Sequence, residues 1–383
     1  MPKGDAKRRK PAPKLEDVDE ILKTTRSQPG KLAVAAPILL AGCAIACGAR
    51  WLSANERNGP PATGGACHID RASGWEVCDN HELETLHNPF PDGDGCDIPR
   101  YTLQQWRELS EGEVLNLTSP VMVSGITADW PAREHWARDA LTRRYGGERV
   151  RCVEERLADV AGAPEAKLRE GDNCTVREYV ALMRDPAQRA SAGRKYVFDR
   201  KPGMAHAMRP DVRMPPPFSS SREWQHYTFS LGGHATGVNM HNHPEAWNAL
   251  VFGAKRWLLL PYDALHDWHE RKRWIYGDGP KVNVEAFFRG RYAEPGVGAL
   301  LRARGWDCVQ RPGEMLWVPR LMLHTTINIG ETLSVVSERE GHKLPQENRH
   351  LFVPNWREGG NIMDPRDPYF VGKRPGGARA ALF

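Results

Sequence analysis

Six short runs constrain this chain most: Lys195-Tyr-Val-Phe-Asp199, Tyr227-Thr-Phe-Ser-Leu231, Ala246 to Val251, Arg256 to Leu260, Glu314 to Val318 and Thr332 to Val336. Each is rich in β-branched or aromatic residues, and Gly or Pro turns separate them, so each reads as a strand. Many short strands bury their faces only by stacking sheet on sheet or by closing on themselves, which predicts a sandwich or barrel. Upstream, Tyr101 to Tyr145 alternates helical patches (LQQWREL and REHWARDALTRRYG) with the apolar segment Pro120-Val-Met-Val-Ser-Gly125, a helix, strand, helix opening. The stretch from Asp263 to Trp306 is charged and aromatic and reads as an insertion between two groups of strands. With 40% hydrophobic and 26% charged residues, the composition is globular and excludes collagen, coiled coil and wholesale disorder.

Lys and Arg total 53 against 48 Asp and Glu, a formal charge of +5 with no local basic face, so no nucleic-acid partner is expected. The 13 Trp outnumber the 10 Phe and 9 Tyr. Core packing is the ordinary use of so much indole, and a sugar- or peptide-binding groove is the alternative.

The N-terminal part reads differently. Residues 1–31 are polar and Pro-punctuated, as expected of a disordered cytosolic tail. Leu32 to Ala49 carries no charge and lies between Lys31 and Arg50. As a helix it would be about 27 Å long, against a hydrocarbon thickness of ~30 Å, so a transmembrane signal anchor over 32–51 is expected. Pro37 and Gly42 weaken such a helix; a buried helix, a cleaved signal segment and a lipoprotein site at Leu40-Ala41-Gly42-Cys43 are the alternatives. The basic run Lys7 to Lys10 would keep the N-terminus cytosolic and give a type II single-pass topology.

Cys67, Cys78, Cys96, Cys152, Cys174 and Cys308 all follow that segment and make an even set without CxxC spacing, which favours disulfides over zinc. Their connectivity cannot be read from spacing. The sequons Asn116-Leu117-Thr118 and Asn173-Cys174-Thr175 lie in the same part, which fits a glycoprotein of the endoplasmic reticulum lumen. Residues 52–100, rich in Gly, Pro and Asp, read as a Cys-containing stem, 101–342 as the compact domain and 343–383 as an extended tail.

The densest chemical signal is Gly237-Val-Asn-Met-His241-Asn-His243-Pro-Glu245. In a strand, residues i and i+2 share a face, so both imidazoles can turn to one metal ion. An isolated HxH is also a frequent chance pair. A third histidine stands in Pro312-Gly-Glu-Met-Leu-Trp-Val-Pro319-Arg-Leu-Met-Leu-His324-Thr-Thr-Ile-Asn328, where a turn, a strand, a Pro turn and a second strand follow in order.

This pairing of HxH with a distant G-x5-P-x4-H-x3-N resembles the cupin superfamily. The string Ala246-Trp-Asn-Ala-Leu-Val-Phe-Gly-Ala-Lys255-Arg-Trp-Leu-Leu-Leu-Pro261, with Ser124-Gly-Ile-Thr-Ala-Asp-Trp130-Pro upstream, resembles the JmjC domain over roughly 101–337. The anchor, the sequons and the HxH variant are similar to the small lumenal JmjC proteins. The resemblance implies a mainly β double-stranded β-helix (jelly roll) with flanking helices that binds Fe(II) and the cosubstrate 2-oxoglutarate. It also implies that His241, His243 and His324 are the metal and catalytic residues. Lys255 would meet the remote carboxylate of 2-oxoglutarate, and Asn248 and Asn328 would line the cosubstrate pocket. The ordinary alternatives are a lysine snorkelling over the sheet and asparagines bonded at strand ends.

His243 departs from the pattern, because these oxygenases use two histidines and one carboxylate. Glu245 could supply the carboxylate if Pro244 did not bend it away. Val238 and Val336 stand near positions where relatives place a cosubstrate-binding hydroxyl, and Thr236 or Ser337 is the expected substitute. Three functions follow from the resemblance: an oxygenase hydroxylating or demethylating a polypeptide side chain, an inactive JmjC-like binding or assembly protein, or a three-histidine cupin dioxygenase that does not use 2-oxoglutarate. Trp268, Trp274 and Tyr276 of the insertion would form a groove wall or pack over the barrel end.

Overall fold

The computed structural model describes residues 67–339, apart from 80–81, 86–95, 155–172, 192–193, 200–201, 221, 225–226 and 262–283. The chain divides at Gly65, and every described residue belongs to the unit Ala66–Phe383. The tail 1–31, the apolar segment 32–51, the first part of the stem, Trp268, Trp274, Tyr276 and the tail 343–383 lie outside the described residues. Among the described residues no helix is long and apolar enough to cross a membrane.

Among the described residues thirteen strands carry the fold: β1 Cys67–Ile69, β2 Glu76–Cys78, β3 Arg100–Thr102, β4 Val121–Ser124, β5 Arg149–Glu154, β6 Asn173–Thr175, β7 Lys195–Asp199, β8 Tyr227–Gly232, β9 Gly237–His241, β10 Ala246–Leu260, β11 Trp306–Gln310, β12 Met315–Val318 and β13 Leu323–Glu338. β1 and β2 form a hairpin, and the rest join in the order β3-β4-β12-β10-β13-β8-β7-β5-β6, with β11 on β10 and β9 on β13. β10 and β13 run antiparallel for nearly their whole length, from Ala246↔Glu338 to Leu260↔Leu323. One half of the pair is flanked by β12 and β8, the other by β11 and β9. Two long strands thus serve two groups of short ones, as in the double-stranded β-helix expected from the resemblance.

The runs Ala246 to Val251 and Arg256 to Leu260, read from sequence as separate strands, are one strand. The register slips on both sides of Phe252, and Gly253 (φ 77°) and Gly330 (φ 78°) sit at the bend. Only glycine takes that left-handed backbone freely, so the turn signal marks a bulge in a continuous strand rather than a break. β5, β6 and β11 were not legible as strands.

Helices cover the first sheet group. Leu103–Arg107, Glu111–Leu115 and Val176–Leu182 each begin with a capping box, at Thr102, Ser110 and Thr175. The helical patch after Trp130 forms as Ala132–His135 and Arg138–Tyr145. Between these helices and the sheet lies the core, where Trp75, Trp106, Trp136, Trp224, Trp247 and Trp317 are fully buried, so most of the indole among the described residues serves packing. A second cluster (Leu258, Leu260, Phe287, Phe288, Tyr292, Ile327) fills the other half beneath the helix Pro295–Arg304, which belongs to the described part of the insertion.

The stem departs from expectation. Its hairpin β1–β2 belongs to the main body: Trp75 lies in the core and donates to the Trp136 carbonyl at 2.8 Å, and the Glu76 N–H donates to Glu331 Oε2. All six expected cysteines are paired, as Cys67–Cys78, Cys96–Cys308 and Cys152–Cys174.

Candidate metal and cosubstrate site

His241 ends β9 and His324 stands opposite it near the start of β13. His243 lies beyond the strand, so strand alternation alone does not orient it. It is set by the turn between β12 and β13, where the Leu321 N–H donates to the His243 carbonyl at 2.9 Å. Leu321 holds φ 62°, a left-handed conformation that a branched side chain adopts only when its surroundings impose it.

The three rings converge, with centroids 4.1 Å (His241 and His324), 4.6 Å (His243 and His324) and 5.4 Å (His241 and His243) apart. Their ligand atoms all lie within 4.8 Å of one another, and each side chain is buried. Nδ1 of His241 is 2.7 Å from the Asn239 carbonyl, that of His243 2.6 Å from the Pro244 carbonyl, and that of His324 2.8 Å from the Met322 carbonyl. A carbonyl only accepts, so each Nδ1 carries a proton, and Nε2 would be the ligating atom toward a metal. This second layer of bonds fits a metal centre, because it fixes tautomer and ring direction together. Burial, and next the neighbouring His241, hold the His324 imidazole well below the usual histidine range despite the opposing bond to Met322, so it stays neutral.

No carboxylate joins this group among the described residues. Glu245 does not rescue it: Glu245 Oε1 faces Arg339 at 3.8 Å. A metal held here would sit in a site one unit more positive than a two-histidine, one-carboxylate site. The other cluster of candidate ligands, Cys67, Cys78 and His234, has both its sulfurs in the β1–β2 disulfide.

The histidines open into a cavity lined also by Tyr196, Asn248, Lys255 and Trp257. Lys255, 1% exposed, lies on its wall; Nζ donates to Asn328 Oδ1 at 2.8 Å and to the Tyr196 hydroxyl at 3.3 Å. No carboxylate among the described residues pairs with it. A buried lysine whose partners are all neutral fits an anionic ligand. Asn328 is taken up by the protein, since its Nδ2 donates to Thr236 Oγ1 at 3.1 Å, and it positions Lys255 rather than lining the cavity. Asn248 does line it; its Nδ2 reaches Ser334 Oγ at 3.4 Å while its buried Oδ1 has no hydrogen-bond partner.

The expected hydroxyls stand elsewhere. Thr236 donates to the Gly233 carbonyl and Ser337 to the Trp224 carbonyl, and neither lines the cavity. Val238 and Val336 do line it, together with Thr326. Sequence reasoning missed Thr326, Tyr196, Phe198 and Trp257. Parity could have found them: 324, 326 and 328 share one face of β13, 255 and 257 one face of β10, and 196 and 198 one face of β7. Trp257 is held beside His324, ring centroids 5.9 Å apart, by its indole N–H bond to Gln310 Oε1.

Comparison with known proteins agrees with this geometry. A family described as a cupin-like domain matches residues 107–336. The chain is 26% identical over 261 residues to the bifunctional arginine demethylase and lysyl-hydroxylase psr-1 of Caenorhabditis briggsae, covering 63% of this chain and 59% of that protein. It is 24% identical over 311 residues to the psr-1 protein of Caenorhabditis elegans, covering 76% and 70%. It is 25% identical over 252 residues to JmjC domain-containing protein 8 of Homo sapiens, covering 64% and 87%.

Proposed function

The chain belongs to the cupin-like family, in its JmjC branch, and on that premise we propose that it is an Fe(II)- and 2-oxoglutarate-dependent oxygenase that hydroxylates or demethylates a polypeptide side chain. One observation carries the reading: three buried imidazoles converge at a cavity whose wall holds a buried lysine with no carboxylate partner among the described residues. Imidazole nitrogen suits iron(II), and His241, His243 and His324 would hold it. When bound, iron(II) with 2-oxoglutarate and dioxygen supplies oxidation of a C–H bond, one oxygen atom going to the substrate and one to the succinate formed with carbon dioxide.

The chain's own groups bind, orient and exclude water. The Lys255 ammonium neutralises one end of a dicarboxylate, aimed by Asn328 and Tyr196. Asn248 offers a buried amide edge. Trp257, Val238 and Val336 keep the walls apolar, which strengthens each polar contact inside. The names of the psr-1 relatives favour a Lys or Arg side chain as substrate, with Asn and Asp as the other candidates.

Anaerobic titration of the full chain with Fe(II) and 2-oxoglutarate tests this. A metal-to-ligand charge-transfer band is expected, lost in Lys255→Ala, and its absence in the unaltered chain overturns the reading. The missing carboxylate favours a second reading, a three-histidine site that holds metal for dioxygen chemistry without 2-oxoglutarate or for partner binding. That reading expects iron to bind with no band, and indifference to Lys255→Ala.

The same proposal includes location: a single-pass type II protein of the endoplasmic reticulum, anchored through 32–51, with a lumenal, glycosylated domain. Supporting it are the uncharged segment Leu32 to Ala49, three disulfides within the unit Ala66–Phe383, and the exposed sequon residues Asn116 and Asn173. Glycosidase treatment should increase gel mobility; no change in mobility, or extraction of the chain by alkaline carbonate, counts against it.

A further inference from the structure

The cavity's polar wall is incomplete where Val238 faces it, yet a hydroxyl stands directly across the strand pair. Thr326 of β13 is the register partner of Val238 of β9, and both line the cavity. Thr326 is 3% exposed, and its Oγ1 accepts from the Val238 N–H at 3.4 Å. Among the described residues its own O–H has no protein acceptor. Thr326 shares a face of β13 with His324 and Asn328, one pair of residues toward the candidate metal ligand and one toward the residue that aims Lys255.

We propose that Thr326 is the hydroxyl that positions the remote carboxylate of the cosubstrate beside Lys255, moved across the β9–β13 pair from the position that Val238 fills. The proposal rests on the oxygenase reading and adds a residue to it. Three features of the wall support it. Lys255 spends two of its three N–H groups on Asn328 and Tyr196, which leaves one for a carboxylate oxygen. A carboxylate has two oxygens and needs further donors when water is excluded. Tyr196 exchanges a hydrogen bond with Ser230 Oγ at 2.7 Å and accepts from Lys255, so its single O–H proton can serve only one acceptor. Thr326 is a hydroxyl on this wall whose proton has no protein acceptor among the described residues.

The test compares two 2-oxo acids on the full chain loaded anaerobically with Fe(II): 2-oxoglutarate, and 2-oxopentanoate, which lacks the remote carboxylate. Thr326→Val keeps the shape and removes the hydroxyl. It is expected to raise the dissociation constant for 2-oxoglutarate about tenfold, the worth of one hydrogen bond to a charged group, and to leave that for 2-oxopentanoate unchanged. Adding Val238→Thr to Thr326→Val returns a hydroxyl from the other strand and should restore 2-oxoglutarate affinity. Thr326→Ser, which keeps the hydroxyl, should bind both acids as the unaltered chain does, and it guards against misfolding of the valine variant.

Unchanged 2-oxoglutarate affinity in Thr326→Val, or equal weakening of both acids, overturns the assignment while leaving the oxygenase reading intact if Lys255→Ala still loses 2-oxoglutarate selectively. Failure of the unaltered chain to bind 2-oxoglutarate overturns both.

Discussion

At the scale of single residues, function and stability draw on the same device: a buried polar group whose every partner is supplied by a distant part of the chain. Asp211 is the clearest structural case. It is 2% exposed and accepts from the Tyr145 hydroxyl, from the Trp136 indole at 2.9 Å and from His135 at 2.6 Å. Burial pushes its carboxyl up, but the bonds from Tyr145, His135 and Trp136 outweigh burial and hold it below the ordinary value of 3.8. Tyr145 is pushed up to about 12, by burial first and then by Asp211. A carboxyl lowered on folding contributes stability that is fully present above its unfolded value and is lost as pH falls through its folded value. Asp211→Asn is therefore expected to cost roughly 1–3 kcal/mol at pH 7, with the gap to the unaltered chain narrowing near pH 3. Urea midpoints at both pH values check this, and an equal gap at both would refute it.

The candidate ligands His241, His243 and His324 were legible because their motif is local and ordered along the chain. The surrounding wall was legible only in part: parity with His324 and Lys255 points to Thr326 and Trp257, whereas Tyr196 lies on β7, whose place beside β8 no local pattern reports.

At the scale of elements, the bend of the long strand pair decides how the histidine end and the core end are joined. Gly330 holds φ 78°, donates its N–H to His234 Nδ1 at 3.0 Å, and lies against the backbone of Glu76. Gly330→Ala is expected to lose about 1–3 kcal/mol, because left-handed backbone is costly for alanine and the methyl group meets a backbone it cannot push aside. Gly112 supplies the contrast: it lies inside the helix Glu111–Leu115 with open space where a Cβ would stand. Gly112→Ala should stabilise by roughly 0.5–1 kcal/mol. Thermal unfolding of the two variants checks the opposite signs. Short strands were readable here, because alternation acts within a few residues. The fusion of two predicted strands into β10 was not, because glycine marks a bulge and a turn alike.

At the scale of the whole molecule, the disulfides tie sequence-distant parts of the unit together. Cys96–Cys308 joins residues 212 positions apart, linking the segment before β3 to β11. Replacing both by alanine is expected to cost roughly 3–5 kcal/mol, chiefly by freeing the unfolded chain. The change should appear in denaturant midpoints and disappear when the unaltered chain is measured fully reduced.

The sequence alone determined a fold of many short strands, three candidate histidines and the even set of cysteines, because strand alternation and motif order are local properties of the chain. The double-stranded β-helix and the role of Lys255 were implied by the resemblance to the JmjC domain. Only the tertiary structure decided which cysteines pair, that the hairpin carrying Trp75 belongs to the core, that Glu245 turns to Arg339, and that Thr326 stands where Val238 offers no hydroxyl. Those outcomes depend on strand register and on packing between residues far apart in the chain, where a shift of one position exchanges every inward side chain for an outward one.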